Sequence, residues 1–227
     1  MSVPHAFFVT GTDTGVGKTR ACTGFLARGR QEGRSCAGLK PVASGCASGP
    51  EGLRSADALA LMAAATASLP YAVVNPWAFE PAIAPHVAAD RAGTPMDFSV
   101  VRQSLDRARG LADLVVVEGV GGWLVPLSGE LTAADLAVDL GLPVVLVVGL
   151  RLGCLSHALL TVESIAAHGS RLVGWVASVL DPAMPALEAN LRTLELRIPA
   201  PLLGCLPFAP SAGPAEVALG LRLPDAG

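Results

Sequence analysis

Gly11-Thr-Asp-Thr-Gly-Val-Gly-Lys18-Thr19 follows directly on the apolar run Ala6-Phe7-Phe8-Val9-Thr10. A β-prone run, a glycine-rich turn and a helix-compatible segment is the order that a phosphate-binding loop requires. The glycines allow backbone N–H groups to turn inward around phosphate oxygens. The start of the helix adds unpaired donors and the positive end of its dipole. Lys18 supplies a point charge for β- and γ-phosphates, and the Thr19 hydroxyl can ligate Mg²⁺. The spacing departs from the strict form: Gly-x-x-x-x-Gly-Lys-Thr needs glycine at position 12, where Thr12 stands, and Gly11 lies one residue early. A Gly/Thr turn capping an ordinary helix is the alternative. The full order of strand, Gly-x-Gly, Lys-Thr and helix favours a site for a nucleoside triphosphate.

Outward from this loop, short apolar runs alternate with helix-like segments. The strands expected are Ala6–Thr10, Cys36–Lys40, Asp113–Glu118, Pro143–Val148, Leu172–Ser178 and Pro201–Leu206. The helices expected are Lys18–Gln31, Asp57–Ala67, Pro85–Ala92, Phe98–Arg109, Ala133–Leu140, Leu155–Ala167 and Pro185–Leu196. Alternation with short connections predicts right-handed βαβ crossovers in one α/β domain, a mostly parallel sheet with helices on both faces. Gly45 to Arg54 and Pro70 to Pro85 read as the longest loops, a length that in a compact domain tends to be functional. The stretch Ala209–Gly227 is rich in Pro, Gly and Ala and is expected to pack loosely.

Composition narrows the function classes. The 227 residues suit one domain with a substantial core. Hydrophobic residues make up 52% of the chain, but the longest apolar run, Leu142 to Leu150, is about half the ~20 residues of a spanning helix. The N-terminus has no basic region followed by a long apolar stretch, so no export signal is read. Net charge is −3 and no Lys/Arg cluster could track a phosphate backbone, which argues against nucleic acid. The five cysteines form no C-x-x-C pair and read as reduced thiols of a cytoplasmic protein.

Ligands in an open parallel sheet gather at the carboxyl ends of the strands. The first expected strand ends at the phosphate loop, the second in Lys40-Pro-Val-Ala-Ser44, and the third in Glu118-Gly-Val-Gly-Gly122. Glu118 ends an apolar strand, where a carboxylate offers Mg²⁺ a hard oxygen or simply faces water. Asp57, after Ser55-Ala56, is either a further metal ligand or ordinary first-turn helix chemistry. Lys40 is the only other lysine besides Lys18. It could stabilise developing anionic charge or merely cover apolar surface. Gly149-Leu-Arg-Leu-Gly153-Cys-Leu-Ser156 offers a second anion site, or a turn with glycine used for turning.

The chain also resembles the dethiobiotin synthetase family. The matching segments are Phe8–Thr19, Gly38-Leu-Lys-Pro-Val-Ala-Ser-Gly45, Val116-Val-Glu-Gly-Val-Gly-Gly-Trp123, Val147-Val-Gly-Leu-Arg-Leu-Gly-Cys154 with His157, and Ile198-Pro-Ala-Pro-Leu-Leu-Gly204. They stand in the family's order and run nearly the length of the chain. The resemblance implies a phosphate-loop NTPase fold working as a homodimer on 7,8-diaminononanoate, CO₂ and ATP with Mg²⁺. CO₂ forms a carbamate on one amine, the γ-phosphate passes to the carbamate oxygen, and the second amine closes a ureido ring as phosphate leaves.

By position, the resemblance assigns Lys18 and Lys40 to the transferred phosphoryl group and the carbamate. Thr19, Asp57 and Glu118 would hold Mg²⁺. Gly15, Val16, Gly17, Gly119, Val120 and Gly121 would approach the nucleotide, with Ser178, Pro207, Phe208 and Ala209 near its base. Thr14 and Ser44 would contact the diamine. Gly153, Cys154, Leu155 and Ser156 would hold the substrate carboxylate from the neighbouring subunit. Close relatives read Trp-Val-Ala-Asn-Asp where this chain has Trp175-Val-Ala-Ser178-Val179, and a hydroxyl is too short to copy the asparagine's two-point contact with adenine. Ser156 likewise replaces an asparagine. A ParA/MinD-type ATPase switch is the alternative, but the signature lysine of that loop is replaced here by Asp13.

Overall fold

The computed structural model describes residues 5–209 and 211–225. In chain order the elements are β1 (His5–Gly11), α1 (Lys18–Gln31), β2 (Cys36–Leu39), β3 (Val42–Ser44), β4 (Ala47–Gly49), β5 (Gly52–Arg54), α2 (Ala56–Ala64), α3 (Tyr71–Val74), β6 (Trp77–Phe79) and α4 (Pro85–Ala92). They continue with α5 (Phe98–Arg109), β7 (Leu114–Glu118), α6 (Ala133–Asp139), β8 (Val144–Leu150), α7 (Cys154–Ala167), β9 (Leu172–Val179), α8 (Leu187–Arg197), β10 (Leu202–Leu206) and α9 (Pro214–Leu219).

Six strands form the central sheet in the order β10-β9-β8-β1-β7-β2, and every pairing in it is parallel. β1 lies between β8 and β7, where the strand order reverses. The loop after it therefore opens at the switch point, the place where ligands bind in such sheets.

Side chains alternate along each strand between two cores, as a period of two requires. Phe7, Val9, Leu114, Val116, Val145 and Val176 pack with Phe25 and Leu26 of α1. Phe8, Val115, Val117, Leu146 and Ala177 pack on the opposite face. The apolar excess of the sequence is thus two buried layers. No described helix is long and apolar enough to cross a membrane.

The longer loops carry structure that their composition hides. Residues 45–54 contain the antiparallel β4–β5 hairpin, and the Pro-rich stretch holds α3 and β6, which pairs with β3. The expected loose packing after Ala209 is corrected by α9. Val217 and Leu221 are buried against α1, where a Cβ on Gly24 would meet Val217 Cγ1 at 2.5 Å. A small residue on α1 makes the seat for that helix. Pro210, Ala226 and Gly227 lie outside the described residues.

Candidate active site

The register of the sheet assembles the site. Leu39 of β2 pairs with Val117 and Val9 of β1 pairs with Glu118. One step past β2, Lys40 is therefore carried beside Glu118. Glu118 shares the sheet face of Leu114 and Val116, which is the α1 face, and so meets Thr19 in the first turn of that helix.

The contacts follow. Oε1 of Glu118 accepts the Thr19 hydroxyl at 2.7 Å and the Lys40 ammonium at 2.6 Å. Lys40 also donates to Gly119 O at 3.1 Å and lies 2.8 Å from Asp57 Oδ2. Lys18 donates to the carbonyls of Asp13 at 3.0 Å and Gly121 at 2.6 Å. The two lysines, Thr19, Asp57 and Glu118 line a cavity of about 710 Å³, together with Thr14, Gly15, Gly17, Ser44, Val120 and Gly121. Its far wall is apolar, built from Ala43, Ala82, Ile83, Pro85 and Val125.

Electrostatics divide the two lysines. Burial alone would push the Lys40 ammonium down, but the adjacent Glu118 and Asp57 charges outweigh it and hold its pKa above the ordinary lysine value. Lys18 lacks such close partners. Burial, then repulsion from Lys40, bring it down to about 8. Asp57 is pushed up by burial and more strongly down by Lys40 and Thr19, so its carboxyl stays below the usual range.

The donor set fits Mg²⁺. Glu118 Oε2 is buried and has no hydrogen-bond partner, leaving a hard oxygen beside the Thr19 hydroxyl and the Asp57 carboxylate. No cluster of three or more His, Cys, Asp or Glu among the described residues could hold a metal alone. Phosphate oxygens and water would complete the shell, as is usual for this ion. Ser44 Oγ is also buried without a partner while its residue lines the cavity, a polar group open to a ligand.

Other assigned residues lie elsewhere. Gly17 adopts φ 95° at the start of α1, a conformation that favours glycine, and a Cβ there would meet Ser178 Oγ at 2.8 Å. Ser178 thus sits behind the phosphate loop. Val16 is turned into the core, and Gly119 packs against the Phe8 ring. Gly149 is not a turning glycine: it has no positive φ, and a Cβ would strike Leu180 Cδ1 at 2.6 Å and Val16 Cγ1 at 2.8 Å. It makes room for Val16. The turn belongs to Gly153, at φ 95° before α7. Gly153, Cys154, Leu155 and Ser156 do not line the cavity of their own chain, nor do Pro207, Phe208 and Ala209.

Sequence reasoning overlooked Arg20, which lines the cavity and donates to the Pro207 carbonyl at 2.6 Å, joining α1 to the end of β10. It overlooked the ion pair between Asp13 in the phosphate loop and Arg151 after β8. Neither has a local signal, since each partner lies more than a hundred residues away in sequence.

The AAA domain family model matches residues 5–216. The ATP-dependent dethiobiotin synthetase BioD of Pseudomonas paraeruginosa is 53% identical over 219 residues, 96% of each chain. That of Xanthomonas campestris pv. campestris is 49% identical over 220 residues, 97% of this chain and 98% of its own. Among solved structures, the MinC:MinD cell division protein complex of Aquifex aeolicus superposes with a TM-score of 0.57 at 14% identity, covering 98% of this chain and all of that one. The signal recognition particle receptor FtsY of Elizabethkingia anophelis gives 0.54 at 16% identity, covering all of this chain and 62% of that one. At such low identity these two likenesses show the fold alone.

Proposed function

This chain belongs to the dethiobiotin synthetase family, and from that premise we propose how its site carries out the reaction. The protein is an ATP-dependent ligase of biotin biosynthesis that closes the ring of dethiobiotin. The observation that carries the reading is the convergence of Thr19, Lys40, Asp57 and Glu118 on one cavity beside the phosphate loop.

The substrate is 7,8-diaminononanoate, with its aliphatic chain along Ala43, Ile83 and Val125 and its amines toward Thr14 and Ser44. CO₂ adds to one amine as a carbamate. Lys18 and Lys40 face the anionic groups from two sides, which favours transfer of the γ-phosphoryl group to the carbamate oxygen. Carbamate oxygen is a poor leaving group and phosphorylation makes it a good one. The second amine then attacks the carbonyl carbon, the C–O bond breaks, and phosphate departs with the electron pair. Both amines sit on one chain, so closure is intramolecular and gains several kcal/mol in effective concentration.

Thr19, Asp57 and Glu118 would hold Mg²⁺, which would neutralise charge on the phosphates. Ser178 lies behind Gly17, with Pro207 to Ala209 beyond it, on the side assigned to the base. We place the substrate carboxylate at Gly153 to Ser156 of a second copy, so the working form is a cytoplasmic homodimer of single-domain subunits. Leu124, Leu152 and Leu160, all exposed, support a partner-facing surface there. The test is mass-spectrometric detection of dethiobiotin from the diamine, bicarbonate, ATP and Mg²⁺. Product is expected only when all are present; ATP hydrolysis indifferent to the diamine would overturn the reading.

A further inference from the structure

Behind the cavity, α3 and the residue that ends it make no contact with the reacting groups, yet they are wired to both sides of the site. Asn75 is buried and spends its amide hydrogens on two carbonyls, Lys40 O at 2.6 Å and Trp77 O at 3.2 Å. Its Oδ1 accepts the Tyr71 hydroxyl at 2.8 Å. The Tyr71 oxygen in turn accepts the N–H of Ser55 at 2.7 Å. Ser55 is the cap of α2, its Oγ accepting from Ala58 N, and Asp57 lies in the first turn of that helix.

Lys40 is fixed from its other side as well. Its N–H donates to Val74 O of α3 at 2.8 Å, and Pro41 confines its backbone to the extended region. One helical turn therefore anchors the backbone of Lys40 and the N-terminus that carries Asp57. Both amide hydrogens of Asn75 are spent on carbonyls and its oxygen faces the Tyr71 hydroxyl, so a flipped amide would set its oxygen against two carbonyls.

We propose that Tyr71 and Asn75 are positioning residues that set the spacing of Asp57 from Lys40, keeping the carboxylate 2.8 Å from the ammonium for the phosphoryl-transfer step. The proposal rests on the catalytic reading of Lys40 and Asp57 given above. The Asp57 side chain is 44% exposed in the first turn of a helix that follows a surface hairpin, so contacts with Lys40 and Thr19 alone leave its backbone some freedom. The Tyr71–Asn75 bridge removes that freedom through the backbone. The Arg54 guanidinium lies 4.2 Å from the Tyr71 ring centroid and holds the ring independently of its hydroxyl.

Tyr71→Phe therefore removes the bridge while keeping the ring. Its kcat is expected to fall roughly ten- to hundredfold, as misplaced reacting groups do, with KM for ATP changing far less. In an Asp57→Asn background the same change should cost almost nothing, because its target is already lost. Wild-type kcat in Tyr71→Phe would overturn the proposal, as would its full effect persisting without Asp57. If Tyr71→Phe does not fold, Asn75→Ala carries the test without adding a charge: it removes both the acceptor for Tyr71 and the donor to Lys40 O, and its cost should likewise vanish in the Asp57→Asn background. A Lys40→Gln enzyme with wild-type turnover would instead overturn the catalytic reading beneath the proposal.

Discussion

The Lys40 ammonium lies 2.6 Å from Glu118 Oε1, with both side chains buried, and the same oxygen accepts the hydroxyl of Thr19. One carboxylate oxygen thus joins the end of the second strand to the first turn of the phosphate-loop helix, and the other is left for a cation. Breaking such a buried pair leaves an uncompensated charge, so its consequences should be large and specific.

Lys40→Gln removes one of the two cations assigned above to the transferring group while keeping a hydrogen-bond donor. Turnover is expected to fall by about 10²-fold or more, the usual cost of losing a preorganised donor at developing negative charge. Nucleotide binding, measured by calorimetry with a non-hydrolysable ATP analogue, should stay within a few-fold. Unchanged turnover would remove Lys40 from the mechanism.

Glu118→Gln tests the metal assignment. The amide oxygen can still accept from Thr19 and Lys40 and Asp57 still balances the ammonium in part, while the carboxylate charge is lost and a donor replaces the unpartnered oxygen. The Mg²⁺ concentration for half-maximal turnover should rise by roughly tenfold or more. A Mg²⁺ titration identical to wild type would show that the ion sits elsewhere.

Lys18, brought down to about 8 by burial and by Lys40, should take up a proton when phosphate arrives. The added negative charge favours the protonated form and raises the pKa. Near pH 8.5 binding should therefore be accompanied by proton uptake, which vanishes toward pH 7, where the amine is already charged. Calorimetry in two buffers of different ionisation enthalpy reads this directly. The nucleotide-free fold binds fewer protons than the unfolded chain between about 8 and the ordinary lysine value, so its stability should rise with pH across that window.

Ser178 lies behind Gly17, and on the base-side assignment proposed above its hydroxyl would offer a base less than an amide can. The ratio of kcat/KM for ATP over CTP or GTP should be modest. Ser178→Asn should raise it by roughly tenfold, the worth of one or two added hydrogen bonds. A strong ATP preference in the wild type would show that other contacts choose the base.

Most of the elements were legible because their signals are local. Lys18–Gln31, Pro85–Ala92 and Phe98–Arg109 have the same boundaries in the sequence pattern and in the structure, since caps, prolines and apolar spacing act within one turn. The phosphate loop was legible for the same reason, as it is contiguous. The short elements in residues 42–79 were not. Strands of three residues and a four-residue helix carry no period to read, and they exist only because β3 pairs with β6 and α3 packs beneath Lys40.

The sequence by itself determined an alternating α/β chain, a loop able to cradle phosphate, and Lys40 and Glu118 at strand ends. It left open whether Lys40 covers apolar surface, whether Asp57 is only a first-turn acid of its helix, and why Gly149 is glycine. Tertiary structure decided all three. The parallel register of Leu39 with Val117 sets Lys40 against Glu118, the α3 turn draws α2 toward Lys40, and Val16 fills the space above Gly149. Each depends on atoms brought together across long sequence separations, which only the closed sheet supplies.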